Sequence, residues 1–250
     1  MKAGWEKTMR RSAETAGDFV LSLFFPRRCP VCQDIVRPRG ARVCPACREK
    51  IAFVREPLCK KCGKELASED AEYCYDCRTR RRSFDGGISL MNYDRVGRTT
   101  MKAFKYGGRQ EYAAFYMEEI WKRYGRLIRG FRADAIVPVP IHRSRRAKRG
   151  YNQAELLARE LSRLSGVPAL PRGLMRVRAT KAQKELTAAE RQRNLEHSFA
   201  VGRLPEGTKR VILVDDIYTT GSTAEACTRA LRRAGVQRVL VVTVCIGKNE

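Results

Sequence analysis

Hydrophobic residues change their period partway along the chain. From Phe84 onward, short unbroken apolar runs alternate with stretches in which apolar residues recur every three or four positions. The runs are GGISLMNY (86–93), DAIVPVPI (Asp134–Ile141), KRVILVDD (209–216) and RVLVVTVCI (238–246), with GLMRVR (173–178) as a further short strand. Helical spacing occupies Val96–Lys105, Glu111–Ile128, NQAELLARELSRLSG (152–166) and STAEACTRALRRAG (222–235). Gly166 ends the third of these. In the last, Ala224, Cys227, Ala230, Leu231 and Ala234 make a face of small apolar residues. Continuous apolar strands alternating with helices predict an α/β domain with a parallel sheet covered on both faces.

Cysteines account for what precedes Phe84. Eight of the ten form C-x-x-C pairs, Cys29/Cys32, Cys44/Cys47, Cys59/Cys62 and Cys74/Cys77, each beginning 15 residues after the last. In a reducing compartment disulfides do not persist, and such pairs predict zinc ligands. One tight turn aims both thiolates of a pair at a metal, with Zn–S of about 2.3 Å. Eight thiolates make two closed, structural zinc sites. Few large apolar side chains lie between residues 29 and 77, so metal supplies what a core does not, on the order of 10 kcal/mol per site. Sequential and interleaved pairings are both open, and the segment REKIAFVREPL (48–58) suits a linker between sequential ribbons. Cys227 and Cys245 are expected to pack as small hydrophobes.

Two acids stand at the end of the run Val211–Val214. Asp215 and Asp216 repel each other unless a cation or a hydroxyl-rich ligand shares their site. Ligands of parallel sheets bind at the strands' carboxyl ends, which is where these acids are expected. The following loop, Ile217–Thr223, carries hydroxyls and one glycine and then enters a helix, whose first amides form an anion site. Gly221 lets backbone approach a phosphate, and Thr219, Thr220, Ser222 and Thr223 can donate to its oxygens. The acids can accept from vicinal sugar hydroxyls, directly or through Mg²⁺. A sugar phosphate accounts for both the acids and the loop.

The stretch VILVDDIYTTGST (211–223) resembles the phosphoribosyl pyrophosphate (PRPP) motif of type I phosphoribosyltransferases. Three further stretches join the four cysteine pairs: MKAFKYGGR (101–109), VPVPIHRSRRAKRGYNQAELLA (137–158) and RVRATKAQKELTAAERQRN (176–194). Together they resemble the ComF family, phosphoribosyltransferase-like proteins associated with natural competence and DNA uptake, over about residues 19–248. The resemblance implies a type I phosphoribosyltransferase-like domain at 84–250, a double zinc ribbon at 29–83 and an N-terminal helical segment at 1–28. It also implies that Pro138–Arg143 faces pyrophosphate and that residues 177–194 form the loop that closes over PRPP in active transferases.

Charge widens the set of partners. The chain has 51 Lys+Arg against 27 Asp+Glu, a net +24, and such a field favours polyanions. Arg143, Arg145, Arg146, Lys148 and Arg149 exceed what one pyrophosphate engages. Lys148 and Arg149 are the expected ligand contacts, and the others face solvent or a nucleic-acid backbone. Residues 176–193 hold six basic and two acidic residues and no aromatic, which suits backbone attraction over base stacking. Phe104, Tyr106 and Tyr151 are the aromatic candidates for stacking, and His142 has an expected positioning role. FVLSLFFP (Phe19–Pro26) is too short to span a membrane. It is expected to end an amphipathic helix, with a peripheral foothold on the inner membrane face as the alternative. The expected location is the cytoplasm.

Three functions fit this sequence. The first is a competence accessory protein that binds PRPP or a related sugar phosphate and single-stranded DNA, with a competence helicase or recombination proteins as partners. The second is an active phosphoribosyltransferase that releases pyrophosphate to an unidentified acceptor. The third is a non-catalytic PRPP sensor. Active transferases select their base with a hood segment; none is expected after the last strand, with the zinc module or the region around Tyr93–Gly108 as substitutes, and this expectation ranks binding ahead of catalysis. No residue is assigned a catalytic role.

Overall fold

A computed structural model describes residues 26–177 and 198–247. The helical segment expected at 1–28 therefore falls almost wholly outside the described residues, as does most of the loop expected at 177–194. The chain divides into two compact units, Met1–Lys50 and Ile51–Glu250.

In the first unit, an antiparallel bridge between Arg28 and Ile35 and a single helical turn, Pro45–Arg48, bring the first two cysteine pairs together. Val36 and Val43 are its buried aliphatic residues. The same arrangement recurs in the second unit, with a Leu58–Glu65 bridge and a turn at Tyr75–Thr79.

The second unit is built on a four-stranded parallel sheet in the order β1 (Gly86–Asn92), β6 (Arg238–Ile246), β5 (Arg210–Tyr218), β2 (Ala135–Pro138). The expected strand at Asp134–Ile141 is shorter, because Pro138 and Pro140 lack amide donors to carry the ladder on. Val139 still donates to Val214. Between the strands run α1 (Arg95–Tyr106), α2 (Tyr112–Phe131), α3 (Arg143–Arg149), α4 (Gln153–Ser165) and α5 (Ser222–Arg233). A separate antiparallel pair, β3 (Leu174–Arg176) with β4 (Phe199–Val201), packs beside α5.

Alternation along the strands separates two buried layers. Val211, Leu213, Val239 and Val241 share one core with Cys227, Ala230 and Leu231 of α5, and with Cys59, Cys62 and Cys74. Ile212, Val214, Leu240 and Val242 are equally buried, under α2 along β1 and β6 and α4 along β2 and β5. This double burial is why the strands read as unbroken apolar runs. Among the described residues, no helix is long and apolar enough to cross a membrane.

Candidate ligand site at the carboxyl end of β5

Strand geometry sends Asp215 and Asp216 to opposite faces of the sheet. Asp216 meets α1, where its Oδ2 lies 2.9 Å from Lys105 Nζ. Asp215 faces the α5 side, within electrostatic reach of Cys227 and Arg176. Burial, then the neighbouring Asp216 charge, pushes the Asp215 carboxyl up to about 8. The Asp216 amide, which donates to Asp215 Oδ1 at 2.8 Å, and the Lys105 and Arg176 charges oppose that rise. Burial also lowers the pKa of Arg176, with Arg145 adding repulsion and Asp215 opposing the shift. The Arg176 guanidinium lies 5.4 Å from the Phe199 ring centroid.

Past the acids the chain turns through Thr219 and Thr220, and α5 begins. Gly221 takes φ +74° there, and a Cβ on it would stand 2.2 Å from the Tyr218 hydroxyl. Only glycine fits. Among the described residues no side chain caps α5, which leaves its first amides to a ligand. Asp215, Thr219, Thr220, Gly221, Ser222 and Thr223 line one small open pocket, with Thr243 of the neighbouring strand at its wall. Thr220 Oγ1 and Ser222 Oγ are 3.0 Å apart. Asp215 and the hydroxyl loop thus share one pocket, whereas Asp216 does not line it.

The two cationic candidates behave differently. Arg149 donates to Tyr106 Oη at 2.9 Å and to Gln153 Oε1 at 3.0 Å, and its guanidinium lies over the Tyr106 ring. Tyr106 follows Lys105, so Arg149 is tied to the helix end that holds Asp216. Lys148 is exposed on α3 and has no contact with the pocket among the described residues. The basic run forms a helix that the sequence reading did not anticipate, capped by His142, whose Nδ1 accepts from the Ser144 amide at 3.2 Å. Arg146 is spent on Glu155, at 2.8 and 3.2 Å. Phe104 is buried, which takes it out of reach for base stacking, and the half-buried Tyr151 donates its hydroxyl to the Phe104 carbonyl. Tyr106 is 61% exposed.

Three contributors escaped the sequence reading. Lys105 neutralises Asp216. Arg82 donates through Nη2 to the Thr220 carbonyl at 2.6 Å. Glu225 receives the Ser83 amide at 2.8 Å and the Ser83 hydroxyl at 2.6 Å, which fixes the first turn of α5. Only the cluster MKAFKYGGR carried a hint of the first.

The cysteines group sequentially, Cys29/Cys32/Cys44/Cys47 and Cys59/Cys62/Cys74/Cys77, with all four sulfurs of each group within 4.8 Å of one another. Four thiols at that spacing fit tetrahedral zinc at about 2.3 Å per bond. The interleaved alternative is thereby removed. Cys32 is exposed, whereas Cys59, Cys62 and Cys74 are buried.

Comparison with known proteins agrees with both halves. The double zinc ribbon domain family matches residues 20–78, and the phosphoribosyl transferase domain family matches residues 146–250. Competence protein F of Haemophilus influenzae is 33% identical over 181 residues, covering 68% of this chain and 77% of that protein. DNA utilization protein YhgH of Escherichia coli strain K12 is 38% identical over 112 residues, 45% of this chain and 49% of that one. Competence protein ComFC of Bacillus subtilis is 27% identical over 168 residues, 65% of this chain and 67% of that one.

Proposed function

The chain belongs to the ComF family of competence and DNA-utilization proteins with a phosphoribosyltransferase-like domain, and on that premise we propose that it binds PRPP or a related sugar phosphate at the end of β5. The observation that carries this reading is the meeting of Asp215 and a hydroxyl-lined helix N-terminus in one pocket, with Asp216 beside it on the strand and held by Lys105. Thr219, Thr220, Ser222 and Thr223, with the backbone at Gly221, take the phosphate. Asp215 and Asp216 take the ribose hydroxyls.

Mg²⁺ suits this pair, because carboxylate oxygens are the hard donors it prefers and it brings substrate phosphate to a site with few protein ligands. Bound there, it supplies charge neutralisation to the acids and to the pyrophosphate. Lys105 supplies part of that neutralisation beforehand, and Arg149 and Lys148 are the candidates for the pyrophosphate side.

The same reading gives the protein a second anionic partner. Arg143, Arg145 and Lys148 are exposed on α3 without a carboxylate partner among the described residues. They suit the backbone of single-stranded DNA in the cytoplasm, alongside helicase or recombination partners. Calorimetric titration with PRPP, with and without Mg²⁺, tests the ligand site: saturable Mg²⁺-dependent binding is expected, and no binding refutes it. A pyrophosphate-release assay with a panel of bases, nucleosides and DNA then separates a binding protein from a transferase.

A further inference from the structure

We propose that the second zinc ribbon, residues 59–77, is a working wall of the ligand site: its metal holds the phosphate loop in shape through Arg82, and a ligand on the loop in turn holds the metal. The second half of this inference rests on the sugar-phosphate reading above; the first half does not.

The ribbon is built into the sheet domain. Gly63, at φ +73°, follows the knuckle cysteine Cys62, and a Cβ on it would stand 2.4 Å from the Gly87 carbonyl of β1. A Cβ on Gly87 would in turn stand 2.8 Å from the Cys62 carbonyl. Two facing glycines let the zinc knuckle and the strand touch backbone to backbone. Cys59, Cys62 and Cys74 then enter one apolar cluster with Tyr218 and Ala224, residues that also line the ligand pocket.

The chain leaving the ribbon runs directly to the phosphate loop. Arg82, 8% exposed, donates to the Thr220 carbonyl, and Ser83 makes two bonds to Glu225. Phe84 packs edge-on against Tyr218, with ring centroids 6.2 Å apart, and Lys61 of the knuckle lies 5.7 Å from the Phe84 ring centroid. Three consecutive residues after the ribbon therefore grip the three parts of the loop: its backbone, its helix and its supporting ring. Without metal, four thiols lose the bonds that fix the ribbon, and the segment 80–84 loses its anchor. The first tetrad belongs to a different compact unit and serves as an internal control.

Coupling between two sites is reciprocal, so the inference has a ligand-free and a ligand-bound test. In the full zinc-loaded chain, Arg82→Ala should keep both zinc ions. Amide exchange in the first turn of α5 should rise about fivefold or more, with β6 unchanged. Arg82→Lys should recover part of the protection. With saturating Mg²⁺–PRPP, chelator-driven release of one of the two zinc ions should slow about fivefold in wild type and not in Arg82→Ala. Unchanged exchange at α5 in Arg82→Ala with both ions bound overturns the proposal whether or not PRPP binds. PRPP binding that leaves both release rates unaltered overturns it as well. Accelerated exchange in a protein that binds no PRPP supports the ribbon–loop link and refutes the proposed ligand instead.

Discussion

Lys105 Nζ lies 2.9 Å from Asp216 Oδ2, while the adjacent Asp215 faces the opposite side of the sheet. One residue's offset along β5 thus splits two repelling acids between two environments. Asp216 has a cation at contact distance. Asp215 has burial and a pKa raised to about 8.

That difference predicts a pH dependence. The Asp215 carboxyl titrates near 3.8 in an unfolded chain and near 8 in the folded one. Between those values the folded state holds a proton that the unfolded state has released. Stability from this group therefore falls as pH rises from about 4 to 8, by at most about 1.4 kcal/mol per unit. Asp215→Asn carries no such proton. Denaturant unfolding from pH 5 to pH 8 should show wild type losing stability relative to this variant; a constant difference would contradict the assignment.

Gly221 and Tyr218 make a second test. The Tyr218 hydroxyl is buried without a hydrogen-bond partner among the described residues and stands where a Gly221 Cβ would go. Tyr218→Phe should therefore be neutral or slightly stabilising, because no bond is lost and a desolvated hydroxyl is removed. Gly221→Ala should cost about 1 kcal/mol or more from its positive φ, plus the clash. Combining the two should recover only the hydroxyl's share of the clash, since the ring carbons Cζ and Cε2 still stand 2.5 and 2.9 Å from that Cβ, and a double-mutant cycle in denaturant measures that share.

Elemental analysis should give two zinc ions per chain, and single variants should distinguish the tetrads. Cys29→Ser should lose one zinc and leave the sheet's unfolding midpoint in place. Cys59→Ser should lose one zinc and lower that midpoint by about 5 °C or more, since Cys59 is part of the sheet domain's core. Equal midpoints for the two variants would contradict that placement.

Much of this was legible in the sequence where the signal is local. The four long strands, the cysteine tetrads and the acid–hydroxyl loop each occupy a few consecutive residues with one period or one spacing. β4 escaped because three residues, Phe199–Val201, are too few to show alternation. The cationic run 143–149 read as a charge cluster because its side chains give no apolar stripe, and its helix shows only through the cap at His142. Lys105 and Arg82 were illegible as site residues for a different reason. Arg82 reaches Thr220 across 138 positions of sequence, and only the fold supplies that neighbour.

DNA binding should be governed by phosphate contacts. Log affinity for single strands should fall against log salt with a slope of about −0.7 per phosphate, hence about −3 to −5 for four to seven contacts. Arg146 and Arg149 are engaged by Glu155 and Tyr106, so the exposed residues Arg143, Arg145 and Lys148 are the ones to replace. Their triple alanine variant should flatten the slope by about two units and weaken all sequences alike. Salt-independent binding, or a variant with the wild-type slope, would remove the role assigned to α3.

The acids at the end of β5 and the hydroxyl loop beside them are assigned to a sugar phosphate. Titration calorimetry of Mg²⁺–PRPP into wild type and into the Asp215→Ala/Asp216→Ala double variant tests this assignment most directly, with zinc content and circular dichroism confirming that both are folded. Saturable, Mg²⁺-dependent binding to wild type is expected, and none to the folded double variant. Equal affinity in the two proteins would contradict the assignment.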